Sequence, residues 1–189
     1  MDTFEYISTL LSIIIGVGIT HLLIGISRLI NNPKGVKIYW IHLVWTFSVF
    51  TNLIWFLWFE YGFSSVTEWT FQMYFFLIIY AVLLFLLSVI NIPFHFPEDF
   101  KEYYYSSKNG FFIVFIAVNA IDILDSYLKG GDYLIKLGMS YLIYVIACFV
   151  LSILAILIRK EIVHGIIAIS FALYQIWYAI TAFSTISAV

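Results

Sequence analysis

WTFQMYFFLIIYAVLLFLLSVI, residues 69–90, is an uninterrupted apolar segment without a charged side chain. A helix needs about 20 apolar residues to cross the hydrocarbon core of a bilayer, and this segment is long enough. Bilayers accept only helices and closed barrels, and barrel strands alternate polar with apolar residues. A continuous apolar run of this length therefore predicts a transmembrane helix.

Five further apolar stretches are bounded by turn-forming or charged residues. The six predicted helices cover residues 4–30, 38–59, 69–90, 111–128, 133–158 and 162–184. Only 11% of the chain is charged and 63% is hydrophobic, whereas a soluble domain is about 25% charged. The sequence thus predicts an all-α, polytopic bundle that forms a single transmembrane domain over residues 1–189. The long connection 91–110 predicts an interfacial segment with a short helix starting at Pro97.

Basic residues are distributed unequally between the two ends of the predicted helices. Seven of the nine lie in or near the connections after the first, third and fifth helices, namely Arg28, Lys34, Lys37, Lys101, Lys108, Arg159 and Lys160. Connections rich in Lys and Arg stay in the cytoplasm. Both termini are therefore expected on the non-cytoplasmic side.

Two acids in the fourth predicted helix are its most distinctive chemical feature. Asn119, Asp122, Ser126 and Lys129 share one helical face, and Asp125 lies at its edge, four residues before Lys129. A carboxylate at membrane depth is costly and usually faces a bundle interior or water. One interpretation is a proton or cation site at Asp122, flanked by Asp125 and Asn119. The other is that the helix ends near Asp122 and both acids lie among the lipid headgroups.

Further polar side chains occur within the other predicted helices. Asn52 lies in the second, Tyr141 and Tyr144 lie in the fifth, and Tyr174, Gln175 and Tyr178 lie in the sixth. Such groups avoid lipid because an unsatisfied donor is expensive there. They are expected either to line an ion or proton pathway with Asp122 or to form interhelical hydrogen bonds worth about 1 kcal/mol each.

Two histidines fall within helices near the predicted cytoplasmic side. His21 and His42 are candidates for a pH-sensitive gate, or for ligands of haem or a metal ion. The alternative is an ordinary interfacial role. No histidine pair has the spacing of a known metal motif, so the sequence predicts no cofactor and leaves haem or metal binding as an alternative.

The first predicted helix carries a ridge of small residues. Ser8, Ser12, Gly16 and Thr20 recur at every fourth position. Such a ridge allows another helix to approach closely. It indicates helix packing, either at a central position in the bundle or at an oligomer seam.

The opening segment FEYISTLLSIIIGVGITHLLIGISRLI, residues 4–30, resembles the first helix of an uncharacterised family of small, six-span bacterial membrane proteins. The resemblance covers this helix and the six-span plan. It implies a multi-pass protein of the bacterial inner membrane and carries no activity with it.

Several functions are disfavoured by what the sequence contains. A net charge of −2 argues against nucleic-acid binding, and no phosphate-binding, zinc-protease or nucleophile-elbow motif is present, so an enzyme is not predicted. Three hypotheses remain. They are a cation or proton channel or small transporter, a non-catalytic subunit or signalling or defence effector that acts through protein partners, and a haem- or metal-binding redox protein. The lipid bilayer and further copies of the chain are the expected partners, with other protein subunits as an alternative.

Overall fold

A computed structural model describes residues 3–31, 35–66 and 68–182. The helices are α1 (Thr3–Asn31), α2 (Trp40–Phe59), α3 (Phe71–Asn91), α4 (Phe100–Leu128), α5 (Gly131–Leu157) and α6 (Glu161–Ala182). A 3₁₀ helix, Glu60–Ser65, follows α2 directly. All six α-helices are long and apolar enough to cross a membrane. The predicted all-helical integral membrane protein is confirmed at this level.

Successive helices run in opposite directions, so the bundle has two ends. The Thr3 end contains the starts of α1, α3 and α5, and the Asn31 end contains the starts of α2, α4 and α6. Helix α3 packs against α1, α2 and α4, while α2 also contacts α6. Helices α4 and α5 form an antiparallel pair. This arrangement places α2, α3, α4, α5 and α6 around a common interior at the Thr3 end.

Helix α4 is longer than the sequence predicts. It begins at Phe100, so the connection from α3 is short and the expected interfacial segment over 91–110 is largely part of α4. The Asp99 carboxylate starts the helix by accepting hydrogen bonds from the backbone N–H groups of Lys101 and Glu102, at 2.8 and 3.3 Å. At about 1.5 Å per residue the helix exceeds the roughly 30 Å hydrocarbon thickness, so its first turns extend beyond it.

A buried lysine explains why α4 continues through this charged stretch. The Lys108 ammonium donates hydrogen bonds to the carbonyl oxygens of Ala155 and Ile156, at 2.8 and 2.7 Å. These carbonyls belong to the last turn of α5, where backbone acceptors have no helical partner. Lys108 therefore satisfies the end of α5 and remains inside the bundle.

The packing face of α1 is not the predicted ridge of small residues. Its buried residues lie on another face, where the glycines are Gly18 and Gly25. A Cβ at Gly25 would lie 2.6 Å from the Ile92 side chain, so a side chain there would clash. By contrast, a Cβ at Gly16 would meet nothing within 4 Å. Within the described residues the ridge does not face another helix of this chain, and its role at an oligomer seam stays a prediction.

An aromatic cluster fills the middle of the bundle. The Trp45 ring packs against the rings of Phe111, Phe112, Phe115 and Phe171, with centroid separations between 5.2 and 5.6 Å. These side chains come from α2, α4 and α6 and are buried. We call this group the Trp45 cluster. It packs α2, α4 and α6 against one another.

Candidate functional site

A cavity of about 70 Å³ lies in the Thr3 half of the bundle, lined by α2 to α6 and by the first residue of the 3₁₀ helix. Its charged and amide side chains are Asn52, Glu60, Asn119, Asp122, Asp125 and Lys129. Six tyrosines also line it, namely Tyr80, Tyr133, Tyr141, Tyr144, Tyr174 and Tyr178. One water occupies about 30 Å³ in the liquid, so the cavity has room for a very small guest.

Lys129 is the centre of a buried ion cluster. Its ammonium forms an ion pair with the Asp125 carboxylate, and its Nζ lies 3.5 Å from Oε1 of Glu60. The three side chains are only 1 to 5% exposed. The predicted pairing of Asp125 with Lys129 is confirmed, and Glu60 joins it from the 3₁₀ helix that follows α2.

Aromatic rings surround the same ammonium. Lys129 Nζ lies 5.0 Å from the ring centroid of Phe63 and 5.6 Å from that of Tyr133. Burial by itself would lower the pKa of Lys129, but the carboxylates of Asp125 and Glu60 outweigh it and hold the pKa above the usual lysine range. Burial also raises the pKa of Tyr133 to about 12. Lys129 is therefore a cation and Tyr133 a neutral phenol at physiological pH.

Asp122 is held by phenols instead of a cation. Its Oδ1 accepts a hydrogen bond from the Tyr80 hydroxyl at 3.0 Å, and its Oδ2 accepts one from the Tyr141 hydroxyl at 2.8 Å. Ser126 donates to the Tyr141 oxygen at 3.3 Å. Tyr80 belongs to α3 and Tyr141 to α5, so Asp122 connects α4 to both neighbours. Helix α4 continues to Leu128, so it does not end near Asp122, and both Asp122 and Asp125 line the cavity. The position of the two acids relative to the lipid headgroups stays a prediction.

The cluster contains more acid than base. Three ionised carboxyls around one ammonium would leave a net charge of −2 in a buried site, which is costly unless a proton or cation enters. Two carboxyl oxygens, Oε2 of Glu60 and Oδ1 of Asp125, are buried without a hydrogen-bond donor among the described residues. The chemistry of the site therefore favours the uptake of positive charge.

Amides extend the polar interior beyond the cavity. Gln175 is buried, and its Nε2 donates to Oδ1 of Asn52 at 2.9 Å and to the carbonyl oxygen of Ser48 at 3.1 Å. Asn119 donates to the Phe115 carbonyl oxygen of its own helix at 2.7 Å. Of the six residues predicted to line a pathway, five line the cavity, namely Asn52, Asn119, Asp122, Asp125 and Tyr178. Gln175, the sixth, does not line the cavity, but it is hydrogen-bonded to Asn52, which does. The Trp45 cluster lies next to this pair of amide side chains.

The two helical histidines lie at the Asn31 end, outside the cavity. Nε2 of His21 and Nε2 of His42 each lie 2.6 Å from a carbonyl oxygen, those of Ile92 and Asn91 respectively. Both carbonyls are at the C-terminus of α3, where helical partners are missing. Among the described residues, no group of three or more His, Cys, Asp or Glu side chains is arranged to hold a metal ion. A gating or ligand role for these histidines stays a prediction.

Sequence reasoning missed Glu60, Tyr80 and Tyr133 as site residues. Glu60 follows α2 directly, so the sequence pattern indicated only an ordinary acid at a helix end. The available signal was that Glu60 and Lys129 fall at the same predicted end of the bundle, where basic residues are scarce. Tyr80 lies in an apolar run that gave no indication of its partner.

No family model, curated protein or solved structure matches this chain. Fold alone does not imply function, so the function has to be argued from the chemistry of the site.

Proposed function

We propose that this multi-pass membrane protein is a proton or cation transporter whose ion site is the cluster of Glu60, Asp122, Asp125 and Lys129. The observation that supports it is the enclosure of three carboxyls and one ammonium in a cavity of a membrane-spanning bundle. Ionisable groups at membrane depth are expensive and commonly mark ion paths. The proposed setting is the bacterial inner membrane, with both termini on the non-cytoplasmic side.

Asp122 is the proposed proton carrier. Lys129 directly contacts Asp125 and Glu60, whereas Asp122 is bound by two hydroxyl groups that donate to its ionised form. When Asp122 takes up a proton, its carboxyl loses its charge, and the hydrogen bonds that it accepts from the two phenols weaken. Because the two phenols belong to α3 and α5, protonation would loosen α4 from these two helices. This links the charge of the site to the packing of the bundle.

A transporter fits the interior better than an open channel. The cavity lies in the Thr3 half, and the buried rings of the Trp45 cluster pack α2, α4 and α6 together farther from the Thr3 end. Protons or ions would reach the Asn31 side only after these rings part. Asn52 and Gln175, next to the cluster, are the first polar groups on that route.

The test is proton flux in proteoliposomes under a pH gradient and under a voltage gradient. We expect flux with the wild-type chain and its loss with Asp122→Asn. The matched control is Glu102→Gln, which makes the same chemical change at an exposed position of α4. Size-exclusion chromatography in detergent verifies that each variant is folded and monodisperse.

Two results would contradict the proposal. If Asp122→Asn conducts as well as the wild type, the ion site lies elsewhere. If the wild type moves neither protons nor alkali cations under either gradient, the hypothesis of a non-catalytic subunit or effector replaces that of a transporter.

A further inference from the structure

We infer that the cavity binds a small organic ammonium cation, of the size of methylammonium or ethylammonium, as a solute exchanged for protons. This inference rests on the proposed transport function and names its substrate class. It is carried by the aromatic walls, the negative charge of the carboxyl cluster and the volume of the cavity.

Lys129 demonstrates how the cavity accommodates an ammonium group. Carboxylates of Asp125 and Glu60 approach Nζ on one side, and the rings of Phe63 and Tyr133 lie within 6 Å. Carboxylates combined with ring faces are the usual protein environment for organic cations. A free ammonium group entering beside Asp122 would meet the same classes of partner.

A second aromatic wall lies on the α5 and α6 side of the cavity. The rings of Tyr144 and Tyr174 are stacked, with centroids 4.5 Å apart and planes 12° apart. Tyr178 continues the stack, 5.8 Å from Tyr174, and its ring lies 5.3 Å from that of Trp55. All four side chains line the cavity. This wall offers ring surface to the alkyl part of a guest, while Asp122 offers a carboxylate to its nitrogen.

The buried carboxyls have unused acceptor capacity. Oε2 of Glu60 and Oδ1 of Asp125 lack a donor among the described residues. A primary ammonium has three N–H donors, as Lys129 itself does, and it would meet the cluster at Asp122, because the two unpaired oxygens have almost no accessible surface. One monovalent cation and one proton would together balance the net charge of −2 that the ionised cluster carries.

The cavity volume sets the size of the guest. An apolar cavity of about 150 Å³ holds benzene, which has six heavy atoms, so about 70 Å³ suits roughly three. Ethylammonium meets that limit, and tetraethylammonium exceeds it. A hard metal cation prefers six or more oxygen ligands. Here Lys129 already lies between two of the carboxylates, and rings form much of the wall.

The experiment is isothermal titration calorimetry on the full chain in detergent at constant ionic strength. The probes are the chloride salts of ethylammonium, sodium, potassium and tetraethylammonium. We expect saturable, millimolar binding of ethylammonium only. Asp122→Asn should weaken it at least tenfold, and Tyr174→Leu should weaken it a few-fold, because the first removes the charge and the second removes ring surface. Glu102→Gln should bind like the wild type.

The outcomes separate this inference from the proposed transport function. Proton flux without ethylammonium binding would overturn the inference and leave the proton site standing. Equal binding of sodium or tetraethylammonium would also overturn it, because selectivity by chemistry and size would be absent. Ethylammonium binding that Asp122→Asn abolishes would support the ammonium site, and a chain that binds ethylammonium but shows no flux would overturn its exchange for protons.

Discussion

Removal of the Lys129 ammonium should strongly destabilise the protein. Nζ lies 3.5 Å from a Glu60 oxygen and forms a second ion pair with Asp125. At an effective dielectric constant of about 20, two unit charges at that distance attract by about 5 kcal/mol. Breaking a buried pair by removing one partner costs about 3–5 kcal/mol, because the other charge is left uncompensated. We therefore expect Lys129→Met to lower the free energy of unfolding by about 3–5 kcal/mol at neutral pH.

Denaturant unfolding in detergent micelles measures this loss. Lys160→Met is the control, since Lys160 is exposed at the Asn31 end and should lose less than about 0.5 kcal/mol. Adding Asp125→Asn to Lys129→Met removes one of the uncompensated charges and should restore part of the stability. If Lys129→Met unfolds within about 1 kcal/mol of the wild type, the carboxyls are neutral in the folded protein and the ion-cluster reasoning is wrong.

Three further predictions concern the helix contacts, and each is checked by unfolding midpoints in detergent. Gly25→Ala should cost about 1–3 kcal/mol because its Cβ would lie 2.6 Å from Ile92. Gly16→Ala should leave the stability unchanged or raise it, because no atom lies within 4 Å of the added Cβ. Equal losses of stability in Gly16→Ala and Gly25→Ala would contradict the assigned packing face of α1. Lys108→Met should cost about 1–3 kcal/mol because two buried carbonyls of α5 lose their donor, and an unchanged midpoint would refute the cap. Asp99→Ala should lower the midpoint and Asp99→Ser should largely retain it. Backbone N–H donors lower the pKa of Asp99 below 3.8. The stability that its carboxylate contributes is therefore complete above that pH and is lost as the pH falls through the lowered native pKa. A midpoint difference between the wild type and Asp99→Ala that persists at still lower pH would contradict this assignment.

The helices could be predicted from the sequence because backbone N–H and C=O groups inside a bilayer must form hydrogen bonds within the protein. Long apolar runs without charges have to be helices, and all six are present. The start of α4 could not be predicted this way, because Lys101 and Lys108 interrupt the apolar pattern. Lys108 is tolerated there only because it binds carbonyls of α5, a contact between residues 47 and 48 positions apart. Such a partner is invisible in a local pattern.

The candidate site was predictable where it depends on helical spacing. Asn119, Asp122 and Asp125 share one region of a single helix, and the structure places all three on the cavity. Glu60 was missed because its relation to Lys129 is created by the packing of α2 beside α4. The ridge on α1 illustrates the converse problem: small residues indicate that a surface permits close approach without indicating which helix uses it.

The contact between Glu60 and Lys129 also has a consequence for biosynthesis. The two residues are separated by 69 positions in the chain. At about 5–20 residues per second, Glu60 leaves the ribosome roughly 3–14 s before its counter-ion exists. During that interval Glu60, at the end of α2, has no counter-ion. An unpaired acid favours keeping this end of α2 at the membrane surface. The cavity in the Thr3 half can therefore close only after residue 129 has been synthesised, and a chain that stops before that residue leaves Glu60 without its counter-ion.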